Sequence, residues 1–283
     1  MLTFSGRAVV HFIYQTEMAS LTKLLRRATG MLCGVILAAC ATVPMDDLLV
    51  SSSIVAELPR ENGPVVEVSR FSEGREGEVP SGWTPFVVSP FVTRTGYALA
   101  ESNPSLVLEA RADDSASGLY RRIRIDPARH PIVEWRWRII EPLAGADPRI
   151  HARDDSPARI VICFHGDVKR LDIEERTTVR FYKAFTGERL PYAMLMYVWA
   201  SDAPVETIAA SGYTSKTQMM VVDSGGRAGE WREFRRNVLE DYRRAFGEEP
   251  WDIVAVGVMT DADNVNDKAR TQWSRMPTSL IED

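Results

Sequence analysis

Ile132-Val133-Glu134-Trp135-Arg136-Trp137-Arg138 alternates residue by residue between apolar and charged side chains. A period of two is that of a β-strand, whose successive side chains point to opposite faces. Val133, Trp135 and Trp137 therefore share one face, and Glu134, Arg136 and Arg138 the other. Similar short runs flank this stretch on both sides, and strands are expected at Val65–Phe71, Thr84–Ser89, Thr95–Ala100, Ser105–Ala110 and Leu119–Ile125 before it. Beyond Ile132–Ile140 they are expected at Ala158–His165, Tyr192–Trp199, Thr217–Asp223 and Ile253–Thr260. Pro80-Ser81-Gly82, Asn103-Pro104 and Ser224-Gly225-Gly226 punctuate them as turns.

One stretch has helical spacing. Trp231, Phe234, Val238, Leu239, Tyr242 and Phe246 recur at three- and four-residue steps, Gly247 can cap the C-terminus, and Pro250 lies just beyond. About ten short strands with this one late surface helix predict a mainly β fold: an antiparallel, jelly-roll-like β-sandwich over residues 64–283, in a single domain.

The first residues belong to a different kind of segment. Lys23, Arg26 and Arg27 precede the apolar run Met31–Leu37, and small residues follow, which is the layout of a secretory signal. The run is too short to span a bilayer core, which takes about 20 apolar residues. Leu37-Ala38-Ala39-Cys40 resembles the lipobox of bacterial lipoproteins, in which the signal is cut before the cysteine and the thiol carries a diacylglycerol. The alternative is an ordinary secretory signal cut after Ala39 or Ala41. Residues 1–39 are thus read as a signal peptide, with Met18 as an alternative start, and 40–63 as a lipidated tether. Ala41 and Thr42 after the cysteine, by resemblance to enterobacterial sorting, imply an outer-membrane anchor facing the periplasm. Processing at Cys40 removes Cys33 and leaves Cys163 unpaired, so no internal disulfide is expected and the core alone must hold the domain.

With 45% hydrophobic and 26% charged residues, the 283-residue chain has ample core material. A net charge of −5, with Asp and Glu interleaved among the arginines, argues against nucleic acid as a partner. No phosphate-binding glycine loop, Gly-x-Ser-x-Gly elbow or His-Glu-x-x-His pair occurs. A zinc site could be assembled from His130, His151 and His165 only through tertiary proximity. Cys163, in an apolar run, reads as a core thiol.

Three stretches offer chemistry. Trp135, Trp137 and Trp199 could stack on sugar rings while Arg136 grips an anion; structurally, the same tryptophans would be core and the charged row an ion-paired outer face. Asp154-Asp155, ahead of Pro157, could bind a cation or act in acid–base chemistry, or cap turns and pair with Arg153 or Arg159. Asp261, Asp263 and Asn264 gather oxygen ligands just after a strand, which suits Ca²⁺ with Asp261 and Asp263 as ligands. The EF-hand pattern is not met, and the same residues would also make an acidic turn.

Trp135-Arg136-Trp137, Asp154-Asp155 with Pro157-Ala158-Arg159, Tyr197-Val198-Trp199, Asp241–Arg244 with Phe246-Gly247, and Met259–Asn264 occur in an order that resembles the proteobacterial domain of unknown function 3047. The resemblance runs from about Val65 to the C-terminus and carries no activity with it. In outline it is similar to β-sandwich carbohydrate-binding modules. Val265-Asn266 stands where a Thr-Gly-type turn is expected.

The expectation is therefore an envelope-tethered, non-enzymatic binding module for a glycan or another envelope ligand, an envelope protein included. No cofactor is expected beyond Ca²⁺. The rival is a glycan hydrolase using Asp154 or Asp155 with Asp261 or Asp263, two carboxylates being all that such chemistry requires. A structural or assembly lipoprotein is the third possibility.

Overall fold

The computed structural model describes residues 47–281, except 62, 64, 70, 103–104 and 227, and for 275–281 the backbone only. The signal peptide, Cys40 and the Asn103-Pro104 turn lie outside the described residues. Along the chain come α1 (Ser52–Glu57), β1 (Val65–Val66), β2 (Thr84–Phe86), β3 (Gly96–Ser102), β4 (Ser105–Asp113), β5 (Ala116–Ile125) and β6 (Ile132–Glu141). There follow β7 (Ser156–Phe164), α2 (Ile173–Thr186), β8 (Ala193–Ala200), β9 (Ile208–Ala210), β10 (Thr217–Ser224) and β11 (Arg232–Asn237). The chain ends in α3 (Val238–Phe246), β12 (Ile253–Asp261) and β13 (Lys268–Ile281).

Two sheets face each other in a β-sandwich. One has the order β11-β6-β13-β4-β3, with β1 added to β13; the other runs β2-β5-β12-β7-β8-β10-β9. Alternation along β6 sends Val133, Trp135 and Trp137 into the space between them, each at most 1% exposed. Trp135 stacks on Tyr197 of β8 in the opposite sheet at 5.0 Å, and Trp273 of β13 is equally buried. Aromatic rings of this size bury 150–250 Å² apiece, so a few of them supply much of the apolar stabilisation. Among the described residues every strand pair is antiparallel except one. β9 runs back along the outer edge of β10, so β10 enters between β9 and β8 parallel to β8.

The expected elements are corrected in four places. Trp231–Phe246 is not one helix: β11 occupies Arg232–Asn237 and pairs with β6, and only Val238–Phe246 is helical. Phe234 satisfies either pattern, and here it stacks on Trp135 at 5.2 Å. α3 is also not the only helix. α2 carries a capping box, Asp172 accepting from the Glu175 amide while the Glu175 carboxylate accepts from the Asp172 amide, and ends at Gly187 with φ +75°. β13, the middle strand of its sheet, falls on residues to which no strand was assigned; among its described side chains Ala269, Thr271, Gln272 and Trp273 are buried. Finally, residues from Asp47 onward are packed rather than a tether. Leu49 bridges Leu190, and Val55 of α1 lies over Cys163, Val254 and Ala255 on the outer face of the seven-stranded sheet. Among the described residues no helix is long and apolar enough to cross a membrane.

Candidate functional site

β7 and β12 run antiparallel with Ser156 opposite Asp261 and Phe164 opposite Ile253. The two acidic stretches, some hundred residues apart in sequence, therefore meet at one end of this strand pair. Asp261, 5% exposed, accepts from the Ser156 amide at 2.8 Å and is held bidentately by Arg159, Nε to Oδ1 at 3.1 Å and Nη2 to Oδ2 at 2.6 Å. Arg159 also donates to the Asp154 carbonyl and rests 3.6 Å from the sulfurs of Met196 and Met219. Asp155 Oδ2 accepts from the Val265 amide at 2.8 Å, and Asn264 Nδ2 donates to Asp154 Oδ1 at 2.7 Å. Asn266 takes a positive φ of +52°, a conformation Asn tolerates better than most residues, and so turns the loop without the expected glycine.

Carboxylate oxygens of Asp155, Asp261 and Asp263 lie within 4.8 Å of one another. Burial pushes the Asp155 carboxyl up to about 6, with the Asp263 and Asp154 charges adding to it against the Val265 amide and Arg159. Burial also raises Asp261, against the pull of Arg159. Among the described residues this trio is the tight acidic or metal-ligating group; His130, His151 and His165 are not gathered into a zinc site.

The aromatic expectations are corrected. Trp135 and Trp137 are core, and Trp199, 4% exposed, donates its indole N–H to the Gly225 carbonyl at 2.8 Å. All three spend their apolar area on the sandwich, and Trp137 and Trp199 also border a small pocket of about 10 Å³ beside Asp223, Gly225 and Arg232. Arg136 does lie on the outer face of its sheet, 3.0 Å from Glu233 and stacked over Trp231 at 5.4 Å, so it is ion-paired as the structural reading of the row expected.

At the other end of β7 and β12 is a pocket of about 390 Å³ that the strand pattern did not point to. It is lined by Ser52, Val55 and Ala56 of α1, Arg124 of β5, His165, Trp251 and Asp252. The β-ladder continues past Phe164, the His165 amide donating to the Asp252 carbonyl at 2.9 Å, which fixes the two segments side by side. Trp251 is 46% exposed, with its ring edge-on to His165 at 5.2 Å. His165 Nε2 is 3.1 Å from Ser52 Oγ, and Arg124 Nε donates to Asp252 Oδ2 at 2.6 Å. Burial holds the His165 imidazole below its ordinary pKa; Asp252 opposes this and Arg124 assists it. The signal for this pocket lay in Glu249-Pro250-Trp251-Asp252, where a tryptophan follows a helix stop, outside any apolar period.

A family model described as Protein of unknown function (DUF3047) matches residues 81–276. The chain belongs to the DUF3047 family. Both the acidic trio and Trp251 fall inside the matched span of this DUF3047 chain. No curated protein matches it. Among solved structures, it is similar to the family 11 carbohydrate-binding module of the cellulosomal cellulase Lic26A-Cel5E of Clostridium thermocellum, with 9% identity over 74% of this chain and 92% of that one, and a TM-score of 0.37. It is similar to the family 30 carbohydrate-binding module of the same organism's Cel9D-Cel44B at 9% identity, 71% and 94% coverage and a TM-score of 0.32. The catalytic domain of Humicola grisea Cel12A matches at 10% identity, 73% and 94% coverage and a TM-score of 0.36. The strand order, rather than these likenesses, defines the fold of the DUF3047 domain.

Proposed function

We propose that this chain is an envelope-tethered, non-enzymatic module that binds a glycan segment in the Trp251 pocket. The observation that carries the reading is the pocket itself: a half-exposed indole beside a histidine, a hydroxyl and an Arg–Asp pair. A flat apolar ring suits the C–H face of a sugar, while fixed donors and acceptors around it suit the hydroxyls; apolar walls with a few placed polar groups are what ligand pockets share. Arg124 and Asp252 neutralise each other, which favours an uncharged ligand over an anion.

The hydrolase alternative finds less support. Retaining and inverting glycosidases hold their two carboxyls about 5–5.5 and 6.5–9.5 Å apart across an open cleft. Of the four carboxylates this reading would use, Asp155 and Asp261 are only 1% and 5% exposed, out of reach of a sugar chain, and half-buried Asp154 is engaged by Asn264 and His151.

Tethering is part of the proposal: cleavage before Cys40, lipid on its thiol and an outer-membrane position facing the periplasm, supported by the basic, apolar and small-residue succession of residues 23–40. A glycan array probed with the purified protein tests the binding reading. Selective binding to one class of oligosaccharide is expected; silence across the array would replace it with an assembly role.

A further inference from the structure

Asp155 presents an unresolved electrostatic problem. It is 1% exposed, and although Oδ2 accepts from the Val265 amide, Oδ1 is buried with no hydrogen-bond partner. A buried carboxylate oxygen left without a donor is expensive, and folded proteins supply a partner, a proton or a cation. The surroundings favour the cation. Asp154, Asp155, Asp261 and Asp263 bring four carboxyl groups to one strand end, whereas Arg159 is committed to Asp261 and the Asp154 carbonyl. His151, whose Nδ1 stands 3.6 Å from Asp154 Oδ2, meets a carboxylate outside the trio.

We propose that Asp155, Asp261 and Asp263 bind a divalent cation, Ca²⁺ by size and ligand type, at the junction of β7 and β12. Their oxygens lie within 4.8 Å of one another. A bound of 4.8 Å lets all three oxygens reach one cation at about 2.4 Å, and Ca²⁺ accepts a flexible set of protein oxygens where Mg²⁺ demands near-ideal octahedral geometry. The trio contains oxygen ligands and no sulfur or imidazole, the donor set of a hard cation rather than zinc. An ion here would tie the start of β7 to the end of β12 and offset the charge that burial opposes. The site lies eight residues along β7 from the Trp251 pocket, about 27 Å at the usual strand rise, so it stabilises the fold and does not touch the glycan.

The test is calorimetric and thermal titration of the chelator-stripped full chain with CaCl₂ and, separately, MgCl₂. Saturable binding of Ca²⁺ is expected, with a rise in Tm of about 5 °C at a hundredfold excess over Kd. Asp263→Asn should weaken Ca²⁺ at least about tenfold through loss of one ligand charge while melting close to the wild type when both are metal-free. Asp155→Asn tests the buried ligand, and Asp263→Asn, at a partly exposed position, keeps the test decisive if that variant fails to fold. No Ca²⁺ binding at millimolar concentration, preference for Mg²⁺, or an unchanged Ca²⁺ response in Asp263→Asn would each overturn the assignment. Because the probe is the metal alone, failure here leaves the glycan reading standing, and failure of the glycan array leaves this one.

Discussion

Arg159 and Asp261 are 5% and 7% exposed at the side chain and pair at 2.6 Å. Taking both charges out of water is costly, and a buried pair is most sensitive to losing one member. In the metal-free protein Arg159→Met is expected to destabilise the fold by about 3–5 kcal/mol, leaving Asp261 buried without its guanidinium partner; urea unfolding in chelator measures it. His165 provides the pH dependence. It faces Ser52 from α1, Trp251 and Asp252 from the segment entering β12, and Arg124 from β5. Because burial holds its folded pKa below the unfolded value, the unfolded chain takes up a proton first as pH falls. Its contribution is thus fully present above about pH 6.5 and is lost as pH drops from there to the folded pKa. A proton NMR titration should place its midpoint below the ordinary imidazole value, and a midpoint above it would contradict the burial argument. Cys163, whose thiol burial pushes up to about 12, should be unreactive toward alkylating reagents in the folded protein.

At the scale of elements, β6 was legible because alternation of two tryptophans with charges has only one physical reading. β7, β8, β10 and β12 were legible as apolar runs bounded by turns. The segment 231–246 was not, because Phe234 and Val238 satisfy both periods and only pairing with β6 decides between them. The boundary sits at Asn237, whose side chain accepts from the Glu240 amide at 3.1 Å. Asn237→Ala should cost about 1 kcal/mol of stability, a typical loss for an N-cap; a change within error would mean the cap is idle. α2 carried its own start and stop, Asp172-x-x-Glu175 and Gly187, but its exposed Ile173, Phe181 and Phe185 blur an amphipathic pattern. β13 hid because its inward residues include Ala269 and Thr271, small or polar by type and buried by position.

For the molecule as a whole, sequence clustering singled out the acidic residues that the fold brings together, whereas the tryptophans it singled out are buried. Adjacent oxygen ligands announce themselves in any context, whereas a tryptophan is equally suited to core and pocket, and only the fold separates Trp135 from Trp251. Cys40→Ser should move the protein from the membrane to the soluble fraction and abolish incorporation of a labelled fatty acid; retention with label would put the lipid elsewhere. The central claim is that Trp251 forms the glycan platform. Calorimetric titration of the array-selected oligosaccharide into wild type and Trp251→Ala tests it most directly. A loss of affinity of about tenfold, ~1.4 kcal/mol, with the melting temperature unchanged, is the predicted result; equal affinity in the two proteins would contradict it.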